Sequence, residues 1–417
     1  MYHAFIAQTH AFDYTHLQYK RLFMKKVTSF LKKEPVLCAA LLLAILAVVF
    51  VRPSISQITG AIDFRVLSLL FSLMAVIQAF RSVNVLDSFA AFVLKTCHTI
   101  RSLFLALTAL VFFSSMAVTN DVALLTFVPI SLITCRKARL SEKQIVLLIV
   151  IETLAANLGS CITPMGNPQN LFLFSYFNME GGQFFAETLK IGVPSLILLA
   201  ALILVLTRQT IRLSTGTASP VSPIRSPWRT IVYTATLILI LLSVFRVLDY
   251  RISLAVTILV LAVCNWRLFA KVDYSLLLTF TGFFIFTGTI SSVPAVSQTL
   301  SELLKTPLSS YVTAIAASQV ISNVPAALLL SGFTENASAL LLGVNVGGLG
   351  TLIASLASVI SFKLYAADHE RVLQLTTADE SGGTEDARGK KDTSYFAVFT
   401  LMNVCFLAVL GVLVWLL

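Results

Sequence analysis

Long apolar runs separated by short polar stretches fill this chain. They predict helices near 36–52, 63–80, 144–178, 189–207, 230–249, 252–269, 274–291, 336–366 and 394–417. Two of these, 144–178 and 336–366, carry glycine and polar residues at their centres and read as interrupted helices. Two further apolar segments, 102–135 and 306–333, are each broken by a polar tip, Thr119-Asn120-Asp121 in one and Ser322-Asn323-Val324-Pro325 in the other. Both read as re-entrant helical hairpins, although two short full spans fit the first equally well. Segments 84–97 and 292–304 are less apolar and predict short interfacial helices.

Composition identifies the solvent. Hydrophobic residues make up 57% of the chain and charged ones 12%, against roughly 45–50% and about 25% in soluble domains. A water-facing shell cannot be built from this, so an all-α polytopic membrane protein is expected. Its 417 residues leave room for about ten spans, the size of a complete carrier. The first apolar run follows a polar stretch and lacks a small-residue cleavage site, so no cleavable signal peptide is expected, and Met24 is an alternative start to Met1. The six cysteines are far apart and without a Cys-x-x-Cys pair, and most histidines precede Met24, so neither disulfides nor a metal centre is expected. No zinc-protease or nucleophile-elbow motif argues for an enzyme.

The net charge of +10 is spread over short loops, which points to orientation in the bilayer rather than to nucleic acid. If the basic clusters at 20–33, 81–101, 136–143, 208–229, 267–271 and 363–391 all face the cytoplasm, the amino terminus lies inside and the carboxyl terminus outside, in a plasma or cell inner membrane. On that plan 1–34 is a cytoplasmic segment and 35–211 a first transmembrane repeat. A Ser/Thr/Pro-rich cytoplasmic linker, 212–229, leads to a second repeat, 230–417, containing a solvated loop at 367–393.

The halves resemble each other. The stretch beginning at Asp63 matches that beginning at Asp273, and Asn157 to Leu171 lies on Asn345 to Val359 without gaps. This pairs Gly159 with Gly347, Thr163 with Thr351, Asn167 with Ser355 and Asn170 with Ser358. An odd number of crossings between the aligned aspartates makes the second unit inverted; a spanning 84–97 would make it parallel.

A backbone group without a hydrogen bond in hydrocarbon costs several kcal/mol, so a broken helix survives only where protein or a wet cavity satisfies it. Gly159, Pro164, Gly166 and Pro168 break the first interrupted helix, and Gly347, Gly348 and Gly350 weaken the second. Freed carbonyls suit a sodium ion, and the following half-helix presents an amino terminus suited to an anion. The candidate substrate and ion site is therefore Asn120 and Asn323 at the tips, with Gly159, Thr163, Gly166, Asn167, Asn170, Gly348, Thr351 and Ser355 in the breaks. Asp121, an acid in a tip, is the candidate for coupling to sodium or protons, and Glu152 is a second candidate carboxylate. Sodium, if bound, would be held by Asn120, Asp121 and Asn323.

At Thr119-Asn120-Asp121, at Ile162 to Asn170 and at Ser322-Asn323-Val324-Pro325 the sequence resembles the ion transporter superfamily, which holds citrate and divalent-anion:sodium symporters alongside arsenite-efflux and sodium-proton antiporter branches. The resemblance runs from about Asp63 to the carboxyl terminus. It implies that Thr119, Asn120, Ser322 and Asn323 bind ion and substrate, and that a dimer-forming scaffold domain supports a mobile transport domain. The carboxylate symporters read Ser-Asn-Thr at the tips; Asp121 and Val324 depart from that and look more like the arsenite and antiporter branch. The expected function is secondary active transport of a small anion, with a sodium-proton antiporter as the alternative and a channel as a more distant one.

Overall fold

The computed structural model describes residues 34–95, 97–207, 224–379 and 386–417. The expected cytoplasmic segment up to 33, the linker as far as 223 and residues 380–385 lie outside the described residues.

In chain order the helices are α1 (Pro35–Val51), α2 (Ile55–Ala61), α3 (Phe64–Ser82), α4 (Val85–Leu94), α5 (Ile100–Val118) and α6 (Asn120–Lys137). There follow α7 (Glu142–Ser160), α8 (Pro168–Tyr176), α9 (Gly181–Leu206), α10 (Pro227–Val244), α11 (Tyr250–Asn265) and α12 (Tyr274–Ile290). The last are α13 (Pro294–Leu303), α14 (Pro307–Ile321), α15 (Asn323–Leu330), α16 (Ala337–Gly347), α17 (Leu356–Asp379) and α18 (Asp386–Leu416). Among the described residues seven helices are long and apolar enough to cross a bilayer. With no strand among the described residues, the protein is an all-α polytopic membrane protein.

Local chemistry fixes the starts and stops. Asp63 accepts from the Val66 amide at 2.9 Å and Asp273 from the Leu276 amide at 3.0 Å, so the two aligned aspartates are matching N-caps. Capping pairs Thr99–Ser102 and Thr306–Ser309 open the first helix of each hairpin. Three arginines set positive charge against helix carboxyl ends. Arg65 donates to Ser243 O, Arg101 to Thr207 O and Arg246 to Phe174 O, at 2.9, 2.7 and 3.2 Å.

Two expected boundaries are corrected. Residues 367–379 and 386–393, expected in a solvated loop, are helical, the first continuing α17 and the second opening α18: a high density of charge there belongs to helices running past their apolar stretches, with Asp368 salt-bridged to Arg136 at 3.1 Å. α9 begins at Gly181 rather than near 189, because a segment carrying Glu187 and Lys190 reads as a loop although the two pair at 3.0 Å along the helix. The short helices expected within 84–97 and 292–304 are α4 and α13.

The described residues divide into two compact units, those up to Ile62 with Asp273–Ile290, and those within Asp63–Val272 with those within Ser291–Leu417. In the first unit small residues bring helices together: Gly282 on α12 faces the Ala40 backbone of α1, and Gly288 faces Ala61. The second unit contains both hairpins and both interrupted helices. The most buried of its long helices is α7, enclosed from Leu148 through Ser160.

Candidate functional site

In the first hairpin α5 and α6 meet at one residue, Thr119, with φ 74° and ψ 152°; in the second α14 and α15 meet at Ser322, with φ 74° and ψ 154°. Non-glycine residues rarely adopt this backbone, which costs about 1–3 kcal/mol and persists only where the surroundings impose it. Its occurrence at both aligned tips marks one device used twice.

Each hairpin packs on the interrupted helix that follows it, by repeated contacts. A Cβ on Gly159 would stand 2.2 Å from Phe112 O and 2.6 Å from Ser115 Oγ; one on Gly347 would stand 2.8 Å from Ser318 Oγ and 3.0 Å from Ile315 Cα. Phe112 and Ser115 precede Thr119 by the same intervals at which Ile315 and Ser318 precede Ser322. Glycine is required at both crossings because helix backbone lies within what would be a side chain's space. The Thr163 hydroxyl donates to Met116 O and the Thr351 hydroxyl to Gln319 O, again aligned pairs. The Asn120 amide donates to Gly166 O at 3.1 Å and the Ser322 hydroxyl to Ala354 O at 3.3 Å, where Gly166 and Ala354 are also equivalent.

The two breaks hold each other through side chains. Asn157, three residues before the end of α7, accepts from Ser355 Oγ at 2.9 Å and donates to Ser358 Oγ at 3.5 Å. Its equivalent, Asn345, accepts from Asn167 at 3.3 Å and donates to Asn170 Oδ1 at 2.7 Å. Ser355 and Ser358 are the equivalents of Asn167 and Asn170, so the bonding is reciprocal, as two-fold related surfaces require. Asn157 also accepts from Asn120 Nδ2 at 3.3 Å, which joins the first tip to the centre. The second tip joins it at Gly348, where a Cβ would fall 2.8 Å from Asn323 Nδ2.

Of the predicted site residues, Asn120, Gly159, Gly166, Asn167, Asn170, Ser322, Asn323, Gly348 and Ser355 are buried in this cluster. Thr119, Asp121 and Thr163 are half-buried at its margin, and Thr351 is exposed beside Gln319. Asp121 starts α6. Prediction missed Asn157, Asn345 and Ser358 as site residues. Their signal was present, since an asparagine buried in an apolar helix must spend its amide on something. Glu152 is fully buried one and a half turns before Asn157, where Ser131 donates to its Oε1.

No Lys or Arg side chain among the described residues bonds to the cluster. Its electrostatics come from hydroxyls, amides and four helix amino termini, those of α6, α8, α15 and α17, which start at the tips and just past the breaks. At the other end of α7, Arg136 is tied to Glu142 at 2.6 Å as well as to Asp368, and Glu142 accepts from Tyr365 at 2.9 Å. Helices α6, α7 and α17 are thereby joined away from the centre.

Several known proteins are similar to this chain in sequence. An uncharacterized transporter of Methanocaldococcus jannaschii is 32% identical over 74% of this chain and 83% of its own length. Inner membrane protein YbiR of Escherichia coli is 30% identical over 73% of this chain and 81% of its own. A putative transporter arsB of Dictyostelium discoideum is 27% identical over 34% of this chain and 24% of its own. With the family model described as "Citrate transporter" matching residues 30–360, the chain belongs to the citrate transporter family and is an integral membrane transporter.

Proposed function

We propose that this protein is a secondary active transporter of a small anion, a di- or tricarboxylate or an inorganic oxyanion, driven by a sodium or proton gradient through alternating access. The observation that carries this reading is the reciprocal bonding of the two breaks, with both tips attached. Such a centre offers helix amino termini and uncharged donors to an anion and no fixed cation to trap it. Five helices, α9 to α13, separate the first interrupted helix from the second hairpin. With α9 to α12 each crossing and the short α13 not crossing, the second interrupted helix starts on the face where the first ended, which makes the repeats inverted. Hairpin helices α14 and α15, of 15 and 8 residues, are shorter than the roughly 20 needed to span, which supports a re-entrant second hairpin. The protein sits in the plasma membrane with its amino terminus cytoplasmic, and it forms a homodimer.

Uptake of labelled citrate, succinate, sulfate and arsenite into proteoliposomes tests the assignment. Saturable uptake of at least one of them, accelerated by an ion gradient, is expected. A sodium-proton antiporter is the second reading, favoured by an acid at Asp121 where the other tip has Val324. Proton flux driven by sodium alone, with no anion carried, would establish it in place of the first.

A further inference from the structure

Resting on the transport reading, we propose that the Glu152 carboxyl is the group that carries the coupling proton in this chain, and that the amides of Asn170 and Gln319 stand where sodium would otherwise bind. An interrupted helix binds sodium through the carbonyls its break releases. In the first break Asn170 Nδ2 lies 3.5, 2.9 and 3.2 Å from the carbonyl oxygens of Ser160, Cys161 and Thr163. In the second, Gln319 Nε2 lies 2.8 Å from Gly347 O and 2.9 Å from Leu349 O, with Ile315 O of its own helix at 3.4 Å. An amide nitrogen only donates, so it satisfies these oxygens without net charge and takes the volume an ion would need. The two donors are not repeat equivalents, since Asn170 comes from the outgoing helix of its own break and Gln319 from the neighbouring hairpin. Both breaks nevertheless end with the same neutral filling.

Glu152 supplies what the carbonyls then cannot. It is fully buried, its Oε1 accepts from Ser131, its Oε2 has no hydrogen-bond partner among the described residues, and it enters none of their ion pairs. The described titratable groups on the elements around α7 bring no cation to it. On α6, Cys135 lies one turn from Ser131, while Arg136 is held by Glu142 and Asp368. On α5, Arg101 is spent on Thr207 O, and on α9 Glu187 and Lys190 pair with each other. From α17, Tyr365 and His369 turn to Glu142, and from α18 Tyr395 reaches Ser361, which accepts from Thr153 beside Glu152. α16 has no titratable residue. A carboxylate so placed is neutral when protonated and costly when charged.

Glu152 lies about 7.5 Å along the helix axis from Asn157, which holds both the first tip and the second break. Losing its proton requires water at Glu152, hence a conformation in which α6 and α7 part at Ser131; regaining it restores the packing described here. The step is proton transfer alone: Oε2 takes a proton from water on one side of the membrane and returns it to water on the other. The repeat equivalents of Glu152 and Asp121 are Leu340 and Val324, so acid chemistry is confined to the first repeat.

Proteoliposomes given citrate, with a pH dye inside, test this. Wild-type uptake should be equal in sodium and choline and should move protons. Glu152→Gln should keep citrate exchange while losing at least tenfold in accumulation driven by a pH gradient, and Asn170→Asp should make exchange rise with sodium. Wild-type uptake that increases with sodium, or Glu152→Gln uptake that still follows the pH gradient, would overturn the proposal. Two readouts need no transport. The infrared carbonyl band of a protonated carboxyl should be present at neutral pH and vanish in Glu152→Gln, or shift in Glu152→Asp if the glutamine variant does not fold. Replacing choline chloride by sodium chloride should leave the wild-type melting temperature unchanged. Absence of the band, or melting raised by sodium, defeats the proposal; the band with no uptake of any anion defeats the transport reading alone.

Discussion

Gly159→Ala puts the crossing of α5 and α7 to a direct test. The new Cβ would lie 2.2 Å from Phe112 O, 2.6 Å from Ser115 Oγ and 2.9 Å from Phe112 C. The serine hydroxyl can turn away, but the other two atoms are helix backbone, so the helices must part by more than about 1 Å to restore ordinary contact. Overpacking of this kind costs about 1–3 kcal/mol, and the better helix propensity of alanine returns roughly 1 kcal/mol. A contact this short belongs at the upper end of the range, which leaves a net loss of about 1–2 kcal/mol. Because α5 ends at Thr119 and α7 at the first break, the same displacement pulls the tip from Gly166, and transport per folded molecule should fall along with stability. Thermal melting in detergent and citrate uptake, measured together, give both numbers. Gly182→Ala is the control, since nothing lies within 4 Å of its Cβ. A Gly159→Ala protein that melts at or above the wild-type temperature, with the control behaving as expected, would refute close packing at this crossing.

Three other outcomes are expected. Thr119→Gly and Ser322→Gly release an unfavourable backbone, so each should leave melting unchanged or higher, by up to about 1–3 kcal/mol, while citrate uptake falls; lower stability in both would show that the tips are not strained. Asn157→Ala strands the donors of Asn120 and Ser355, and Asn345→Ala strands the Asn170 side-chain oxygen and takes one of the two acceptors from Asn167, at about 1–3 kcal/mol for each buried group left unpaired, so chemical denaturation should show losses from both equivalent sites. Arg136→Gln breaks a partly exposed ionic cluster and should cost only about 1–2 kcal/mol, less at high salt, where the wild type loses the same advantage.

The tips and breaks were legible in the sequence because glycine, proline and asparagine are conspicuous within apolar runs, and membrane physics leaves them few other uses. The gapless match of Asn157–Leu171 with Asn345–Val359 reappears as reciprocal hydrogen bonds. Which polar groups actually bond was not legible. Asn157 and Asn345 served to anchor that match, yet nothing in the order of residues says that each amide reaches into the opposite break. Thr351 looked equivalent to Thr163 and is, in its bond to the hairpin, but its surroundings are open where those of Thr163 are half-closed. The helical stretch 367–379 was hidden for a related reason. Charge density resembles that of a loop until a partner such as Arg136 on another helix is known.

The Asn157 and Asn345 bonds also bear on how such a molecule could arise. Asn157 finds its partners at Ser355 and Ser358, and Asn345 finds the matching ones at Asn167 and Asn170, so each repeat carries both the donor and the receiver of one self-complementary joint. Two identical copies of either repeat would therefore mate at the centre without any further invention. A gene encoding half of this chain could have worked as a symmetric pair before fusion, and divergence afterwards was free to leave Glu152 and Asp121 without acidic counterparts.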